Sequence, residues 1–244
     1  MRIRYKDRQS LIRIFRILIP IAFVVLCITP SWTLPKANEL SSNEPDQVLD
    51  VDNEKVQTLV NPINTFDYAG TDYLKKDAVE EISQLIKDYY TASLSLDMDS
   101  MEWLVSDVDK FEYNKMRASL EYMESINNII CYTVEGIYEG TYRVYVYYDM
   151  KIRGIDTPAP ALTAFYVTMS SDGEYIIYLS ELDTETQDFI VSADLSEDVA
   201  ILKALVDERF TSVVDSDPML KEFCTLISGG NGTDTATGEA VKVD

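Results

Sequence analysis

The spacing of apolar residues changes from a helical period to a strand period near the middle of the chain. In the first part they recur every three to four residues, at Val79, Ile82, Ile86 and Tyr89 or Tyr90. This predicts an amphipathic helix over residues 77–96, followed by a second helical segment over 98–106. A third apolar stripe predicts a helix that ends near Asn127-Asn128: Tyr113, Met116, Leu120 and Met123.

From residue 130 onward the period is two, which is typical of strands with one buried face. Ile130, Tyr132 and Val134 predict one strand. The longest alternation covers residues 142–153, with one face made of Tyr142, Val144, Val146, Tyr148, Met150 and Ile152. Residues 162–170 predict a further strand, and Asp172-Gly173 predicts a hairpin turn back into 174–179. Helices followed by at least four antiparallel strands predict an α+β fold.

Two more helices are expected after the strands. Apolar residues share one stripe over residues 196–214, and Asp217 is the predicted N-cap of a helix over 218–227. Residues 35–76 are rich in Pro, Asn, Asp and Ser and predict an extracellular tether, and 229–244 predict a flexible tail. The folded domain is therefore expected over residues 77–228.

The N-terminal part predicts a membrane anchor. Residues 17–34 carry no charge, whereas residues 1–16 carry six Arg or Lys side chains and one acid. An apolar stretch of nearly 20 residues behind a basic segment predicts a single-pass signal anchor, with the N-terminus cytoplasmic and the domain extracellular. Cleavage as a signal peptide and lipidation at Cys27 are the alternatives; the residues that either process requires fit poorly here.

Composition excludes several function classes. The formal net charge is −21, which disfavours nucleic-acid partners. Histidine is absent, which excludes Ser-His-Asp and Cys-His catalysis and His-ligated zinc. The acidic segment 97–99 lacks the Gly turn of a calcium loop, and the segment 46–54 lies in the tether, so we predict no metal and no cofactor. The sequence does not decide whether Cys131 and Cys224 form a disulfide.

Two stretches show a family resemblance. VEGIYEGTYRVYVYYDMKIRGIDTPAPALTAFYVTMSSDGEYIIY (134–178) resembles uncharacterised NTF2-like domains of membrane-anchored proteins from Gram-positive anaerobic bacteria. DYYTASLSLDMDSMEWLVSD (88–107) resembles the first two helices of that fold. The resemblance covers about 77–180 and implies an α+β cone, in which N-terminal helices pack on a curved antiparallel sheet. The fold hosts both enzymes and binding modules, so it implies no activity by itself.

Such a cone can enclose a pocket between helices and sheet. Six aromatic residues are candidates to line it: Tyr89, Tyr90, Trp103, Tyr132, Tyr142 and Tyr148. The alternative is that these rings only fill the core.

The other face of the long strand is a candidate contact surface, because Tyr and Arg are enriched at binding hot spots. Its residues are Arg143, Tyr145, Tyr147, Lys151 and Arg153. Coverage of this face by the helix over 196–214 is an equally good interpretation.

We therefore expect a non-enzymatic, membrane-tethered interaction or scaffold domain at the bacterial cell surface. Its expected partner is an envelope or cell-surface protein, and the sequence does not decide whether the chain forms a homodimer. The alternative function is a sensory or ligand-binding domain that uses the cone. An isomerase-like or dehydratase-like enzyme is disfavoured by the missing histidine and by the lack of an acid at inward positions of 142–153.

Overall fold

The computed structural model describes residues 66–230, with side chains as far as Ile227. The strands are β1 (Lys75–Lys76), β2 (Met123–Glu135), β3 (Tyr142–Ile152), β4 (Ala159–Met169) and β5 (Tyr175–Ile177). Three helices precede β2: α1 (Glu80–Ser95), α2 (Met98–Leu104) and α3 (Tyr113–Ser119), with a 3-10 turn at Val108–Lys110. Three follow β5: α4 (Thr184–Asp194), α5 (Glu197–Ser216) and α6 (Pro218–Gly230).

The five strands form one sheet in the order β1-β2-β3-β4-β5, and all neighbours are antiparallel. The predicted α+β class with an antiparallel sheet is confirmed. Tyr132 of β2 lies opposite Tyr145 of β3, and Val146 lies opposite Thr163 of β4. This register decides which side chains share a face of the sheet.

Helices cover both faces of the sheet, so β3 is buried continuously from Val144 to Met150. The first face of β3 packs with helices α1, α2 and α6, through Val144, Val146, Tyr148, Met150 and Ile152. The second face packs with α4 and α5, through Tyr145 and Tyr147. A strand that is buried on both sides is favoured by β-branched and aromatic residues, which β3 has on both faces.

The predicted end of the third helix is wrong. Helix α3 ends at Ser119, and Met123 begins β2 instead of closing an apolar helical stripe. The register of β2 against β3 shifts between Asn127 and Ile130, and Asn128 has a left-handed backbone with φ 51°. This bulge breaks the alternation of apolar residues in the first half of β2, which hides the strand from a search for a period of two.

The start of the predicted domain also needs correction. The sequence predicts a tether that extends to residue 76, but Tyr68 and Leu74 are buried in the second core, and β1 pairs with β2. Helix α4 was not predicted, although Asp183 caps it by accepting a hydrogen bond from the Thr186 N–H at 2.9 Å. A short helix between two stronger patterns gives little periodic signal on its own.

The predicted anchor at 17–34, the basic tail at 1–16 and most of the tail at 229–244 lie outside the described residues. Within residues 66–230, no helix has both the length and the hydrophobicity that crossing a membrane requires. Cys131 and Cys224 are not joined by a disulfide.

Candidate functional site

Helix α1 presents polar groups to the first face of the sheet. Tyr90 and Ser93 are three residues apart, so both lie on the face of α1 that packs against the sheet. The helix ends directly afterwards, because Leu96 takes a left-handed conformation and its N–H bonds to the carbonyl of Ser93 at 3.2 Å. Ser93 is fully buried, and Tyr90 is nearly so.

Two hydroxyl groups of the sheet meet this part of α1. The ring of Tyr148 on β3 lies 5.2 Å from the ring of Tyr90, measured between centroids. The hydroxyl of Tyr148 lies 3.3 Å from that of Thr163 on β4, at hydrogen-bonding distance. The strand register places the hydroxyls of β3 and β4 on one face of the sheet, and helix α1 packs on that same face.

Aromatic rings form the wall of the site. Tyr89 makes edge-on contacts with Phe165, Tyr90 and Phe111, at centroid distances of 5.3, 5.6 and 6.3 Å. Tyr89, Phe111 and Phe165 are only half-buried, whereas Tyr90 and Tyr148 are buried. The half-buried rings thus mark the side of the site that faces solvent.

The hydroxyls of Tyr90 and Ser93 are buried and make no well-formed hydrogen bond within residues 66–230, although those of Thr163 and Tyr148 lie near Tyr90 and that of Tyr89 lies near Ser93. An unpaired buried hydroxyl costs about 1–3 kcal/mol, and most such groups in folded proteins have a protein or water partner. Two of them on adjacent turns of one helix indicate a position where a water molecule or a ligand atom would bind.

The tyrosines of the site stay neutral over the physiological pH range. Burial raises the pKa of Tyr89 to about 12 and raises the pKa values of Tyr90 and Tyr148 as well. Burial also raises the pKa of the Cys131 thiol to about 12, so this core cysteine is not a thiolate nucleophile. The groups on α1 and β3 can therefore donate or accept hydrogen bonds but carry no charge.

The structure brings together three of the six predicted pocket residues, Tyr89, Tyr90 and Tyr148. Tyr142 is the first residue of β3, and its ring centroid lies 5.8 Å from that of Tyr175. Tyr132 lies on the opposite face of the sheet, because its partner in the register is Tyr145. Trp103 is 81% exposed on α2 and lines no interior site.

The predicted contact surface around Tyr145 and Tyr147 is covered. Both rings are buried in the second core, next to Leu202 and Leu205 of α5. Of the two interpretations of this face, coverage by the helix over 196–214 is therefore the one that the structure supports. The prediction of an open partner surface at Tyr145 and Tyr147 is therefore wrong, because both side chains are buried.

The three basic residues predicted for that surface are engaged within the domain. Arg143 forms an ion pair with Asp194 of α4. Lys151 bonds to the carbonyl of Ile155, with Asp156 at 3.6 Å. The Nε of Arg153 donates to the carbonyl of Leu120 at 3.4 Å.

A polar network joins α5 to the bulge of β2 on the second face. The buried carboxylate of Asp149 accepts hydrogen bonds from the Tyr147 hydroxyl at 2.6 Å and from the Asn128 amide at 2.7 Å. The Nε of Arg209 on α5 donates to the Tyr147 hydroxyl at 3.0 Å. Both carboxylate oxygens have donors, so we interpret this network as structural.

The sequence pattern does not predict four residues of the site: Ser93, Thr163, Phe111 and Phe165. Thr163 and Phe165 alternate within the predicted strand over 162–170, so their shared face could have been inferred. Their proximity to α1 could not be inferred, because it depends on how the helix packs across the sheet. Phe111 lies in an irregular segment and gives no periodic signal.

Within residues 66–230, no three cysteine or acidic side chains are arranged to hold a metal ion. Asp97, one of the acids considered for calcium, caps α2 by accepting from the Ser100 N–H at 3.1 Å. Comparison with known proteins finds no match: no family model, no curated protein and no solved structure is significantly similar to the chain.

Proposed function

We propose that this protein binds a small uncharged molecule between α1 and the sheet, and that it acts as a non-enzymatic sensory or ligand-binding domain. The observation that carries the proposal is the buried hydroxyl of Tyr90, which makes no well-formed hydrogen bond within residues 66–230. It lies beside the hydroxyls of Tyr148 and Thr163 and behind a wall of aromatic rings. A ligand with an apolar body and one polar atom would satisfy both features.

The wider setting of the domain is part of the same proposal. Helices that precede an antiparallel sheet and pack on one of its faces agree with an NTF2-like arrangement, in which the space between them is the binding site. The apolar segment at 17–34 would tether the domain to the bacterial cell membrane, with the site outside the cell. A bound ligand would then report on the extracellular medium.

The test is to identify what the protein carries after purification. We expect the full-length protein, purified from its own host and denatured, to release a small molecule in a near-stoichiometric amount that mass spectrometry detects. Replacing both Tyr90→Phe and Ser93→Ala should reduce that amount at least about tenfold, since each hydroxyl contributes about 1 kcal/mol to a hydrogen bond with the ligand.

Tyr113→Phe is the matched control: Tyr113 is exposed on α3, so removal of its hydroxyl should not change the amount of small molecule that is released. Retention of the molecule by the double variant would place the ligand elsewhere and overturn the proposal. Release of no molecule, together with a high-resolution structure in which water alone bonds to Tyr90, would also overturn it.

A second candidate function is the interaction module, now carried by Trp103 instead of the covered tyrosines. Tryptophan is highly buried on average, so an exposure of 81% is unusual, and it is one of the residue types enriched at protein hot spots. Cross-linking in intact cells tests it: Trp103→Ala should abolish capture of a partner that the wild-type protein retains. Equal capture by the variant would exclude this surface.

A further inference from the structure

Apolar side chains are exposed at the end of the sheet where β2 turns into β3. Ile137 and Tyr138, in the loop between these strands, are each 47% exposed, and Met169, the last residue of β4, is 45% exposed. Met169 lies against the loop, because a Cβ on Gly140 would be 3.3 Å from the Met169 Cβ and 3.5 Å from its Cε. Loop and strand end thus form one surface, which we call the hairpin patch (Ile137, Tyr138 and Met169).

Hydrogen bonds hold the loop of the hairpin patch in one conformation. The Gly136 N–H donates to the Thr141 carbonyl at 2.7 Å, and the Thr141 hydroxyl donates to the Tyr138 carbonyl at 2.7 Å. The Tyr138 hydroxyl donates to the carboxylate of Glu185 at 3.2 Å, which links the loop to α4. An aromatic ring on a fixed loop loses little conformational entropy when a partner binds, and tyrosine is enriched among the anchors of protein interfaces.

Four exposed carboxylates lie on the elements that carry the patch, and none of them belongs to an ion pair within residues 66–230. One of them is bonded to Tyr138, and one lies in the same loop. Two lie in the turn that directly follows Met169, where the Ser170 N–H bonds to the Glu174 carbonyl at 2.7 Å. The four are Glu139, Asp172, Glu174 and Glu185.

The sequence around these carboxylates contains no base that would neutralise them. Between Arg153 and Lys203 the chain has ten acidic residues and no Lys or Arg. Arg143, the second residue of β3, is already held by Asp194 of α4. An exposed apolar patch indicates a contact site, and a surrounding field of negative charge selects a partner of positive charge.

We propose that the hairpin patch binds a basic segment of a partner protein, in which apolar residues alternate with Lys or Arg. The apolar residues pack on Tyr138 and on Met169, whose flexible thioether adapts to different shapes, and the cations meet the surrounding carboxylates. The same carboxylates repel an anionic lipid surface. In the part of the chain that the structure describes, they are not arranged to hold a metal ion. The proposal does not depend on the site between α1 and the sheet.

The experiment is calorimetric titration of the full-length protein with the end-blocked peptide Lys-Leu-Lys-Phe-Lys, called the basic apolar peptide. We expect it to bind with a Kd of about 0.1–1 mM, and more weakly as NaCl is added. Lys-Ser-Lys-Ser-Lys has the same charge without the apolar anchors and should bind at least about tenfold more weakly. Glu-Leu-Glu-Phe-Glu should not bind measurably, because its charge is opposite.

Tyr138→Ser should weaken binding of the basic apolar peptide at least about fivefold, because it removes the central ring of the patch. Tyr113→Ser is the matched control, since Tyr113 is an exposed tyrosine on α3, and its replacement should leave the Kd unchanged. An equal effect of the two substitutions, or no binding of the basic apolar peptide to the wild-type protein, would overturn the proposal.

The role of the carboxylates is tested by the double variant Asp172→Asn, Glu174→Gln, which should weaken binding at least about threefold. The control double variant is Glu121→Gln, Glu124→Gln, which removes two exposed charges beside the start of β2, at the opposite end of the sheet. Equal weakening by both would show attraction to net charge alone and refute a site at the patch.

Two further outcomes assign the patch to another occupant. Binding of Lys-Ser-Lys-Ser-Lys as tight as that of the basic apolar peptide would show that the apolar side chains take no part. Displacement of the basic apolar peptide by vesicles of zwitterionic phosphatidylcholine would assign the patch to a lipid surface. Either result would overturn the proposal of a basic partner segment.

Discussion

The guanidinium of Arg143 on β3 and the carboxylate of Asp194, the last residue of α4, form two parallel hydrogen bonds of 3.0 and 2.9 Å. Their side chains are only 13% and 14% exposed. The Tyr145 hydroxyl donates to the same carboxylate at 2.6 Å. This contact fixes the junction of α4 and α5 to the sheet, and so helps to keep the second face covered.

Asp194→Asn should lower the free energy of unfolding by about 2–4 kcal/mol, because it leaves the little-exposed guanidinium of Arg143 without its counter-charge. Chemical denaturation measures this change. Asp215→Asn is the matched control: Asp215 pairs with Lys221 at 2.8 Å, but both side chains are more than half exposed, so we expect less than about 1 kcal/mol. Similar effects of the two substitutions would contradict this account.

Two substitutions of tyrosine by phenylalanine should change the free energy of unfolding by different amounts, although both remove the same hydroxyl oxygen. Tyr147→Phe removes a donor to buried Asp149 and an acceptor from Arg209, so it should cost about 1.5–3 kcal/mol. Tyr90→Phe in the ligand-free protein removes a hydroxyl that makes no well-formed hydrogen bond within residues 66–230, so it should cost less than about 0.5 kcal/mol or stabilise. Thermal and chemical unfolding of the two variants decide this, and an equal loss in both would count against the unpaired state of Tyr90.

Gly70 and Gly173 both have a positive φ, but their surroundings differ. A Cβ at Gly70 would lie 2.4 Å from the carbonyl oxygen of Leu74, whereas a Cβ at Gly173 meets nothing within 4 Å. Gly173→Ala should therefore cost only the strain of a left-handed alanine, about 1 kcal/mol, and Gly70→Ala clearly more. If Gly70→Ala unfolds no earlier in urea than Gly173→Ala, the turn at Gly70 must be able to open.

Alkaline pH should destabilise the domain through its buried tyrosines. Burial raises the pKa values of Tyr89 and Tyr122 to about 12 in the folded state, against an ordinary value of 10.0. Between these values the unfolded chain releases protons that the folded chain keeps, so stability present below pH 10 is lost as the pH rises toward 12. Each such tyrosine should contribute a loss of about 1.4 kcal/mol per pH unit in that window.

Unfolding free energies measured between pH 9 and 11.5 test this, with ionisation followed by the absorbance of the phenolate. Tyr89→Phe should reduce the slope of stability against pH by about one proton. An unchanged slope in Tyr89→Phe would mean that Tyr89 ionises as readily in the folded state as in the unfolded one.

Much of the local structure was predictable because its causes are local. The alternation over residues 142–153 matches β3, and the Asp172-Gly173 turn joins β4 to β5. Asp217 caps α6 as expected, accepting from the Met219 N–H at 2.8 Å. Caps, turns and periods depend on neighbours within a few residues, which a sequence displays directly.

The candidate site was predictable only in part. Tyr89 and Tyr90 were expected on one helix and Tyr148 on the facing strand, but Tyr132 was expected beside them and lies on the other face. Trp103 fits the period of a helix and is nevertheless exposed. Period assigns a residue to a face of its own element and says nothing of what packs on that face.

By itself the sequence determined the α+β class, the strand boundaries near Asp172-Gly173 and the alternating faces of β3, since backbone geometry and side-chain polarity are written residue by residue. Tertiary structure alone decided that α5 covers Tyr145 and Tyr147 and that the bulge at Asn128 brings its amide to Asp149. It also decided that the buried hydroxyls of Tyr68, Tyr90 and Ser93 make no well-formed hydrogen bond within residues 66–230. These outcomes depend on contacts between residues far apart in the chain, where packing of whole elements determines which groups meet.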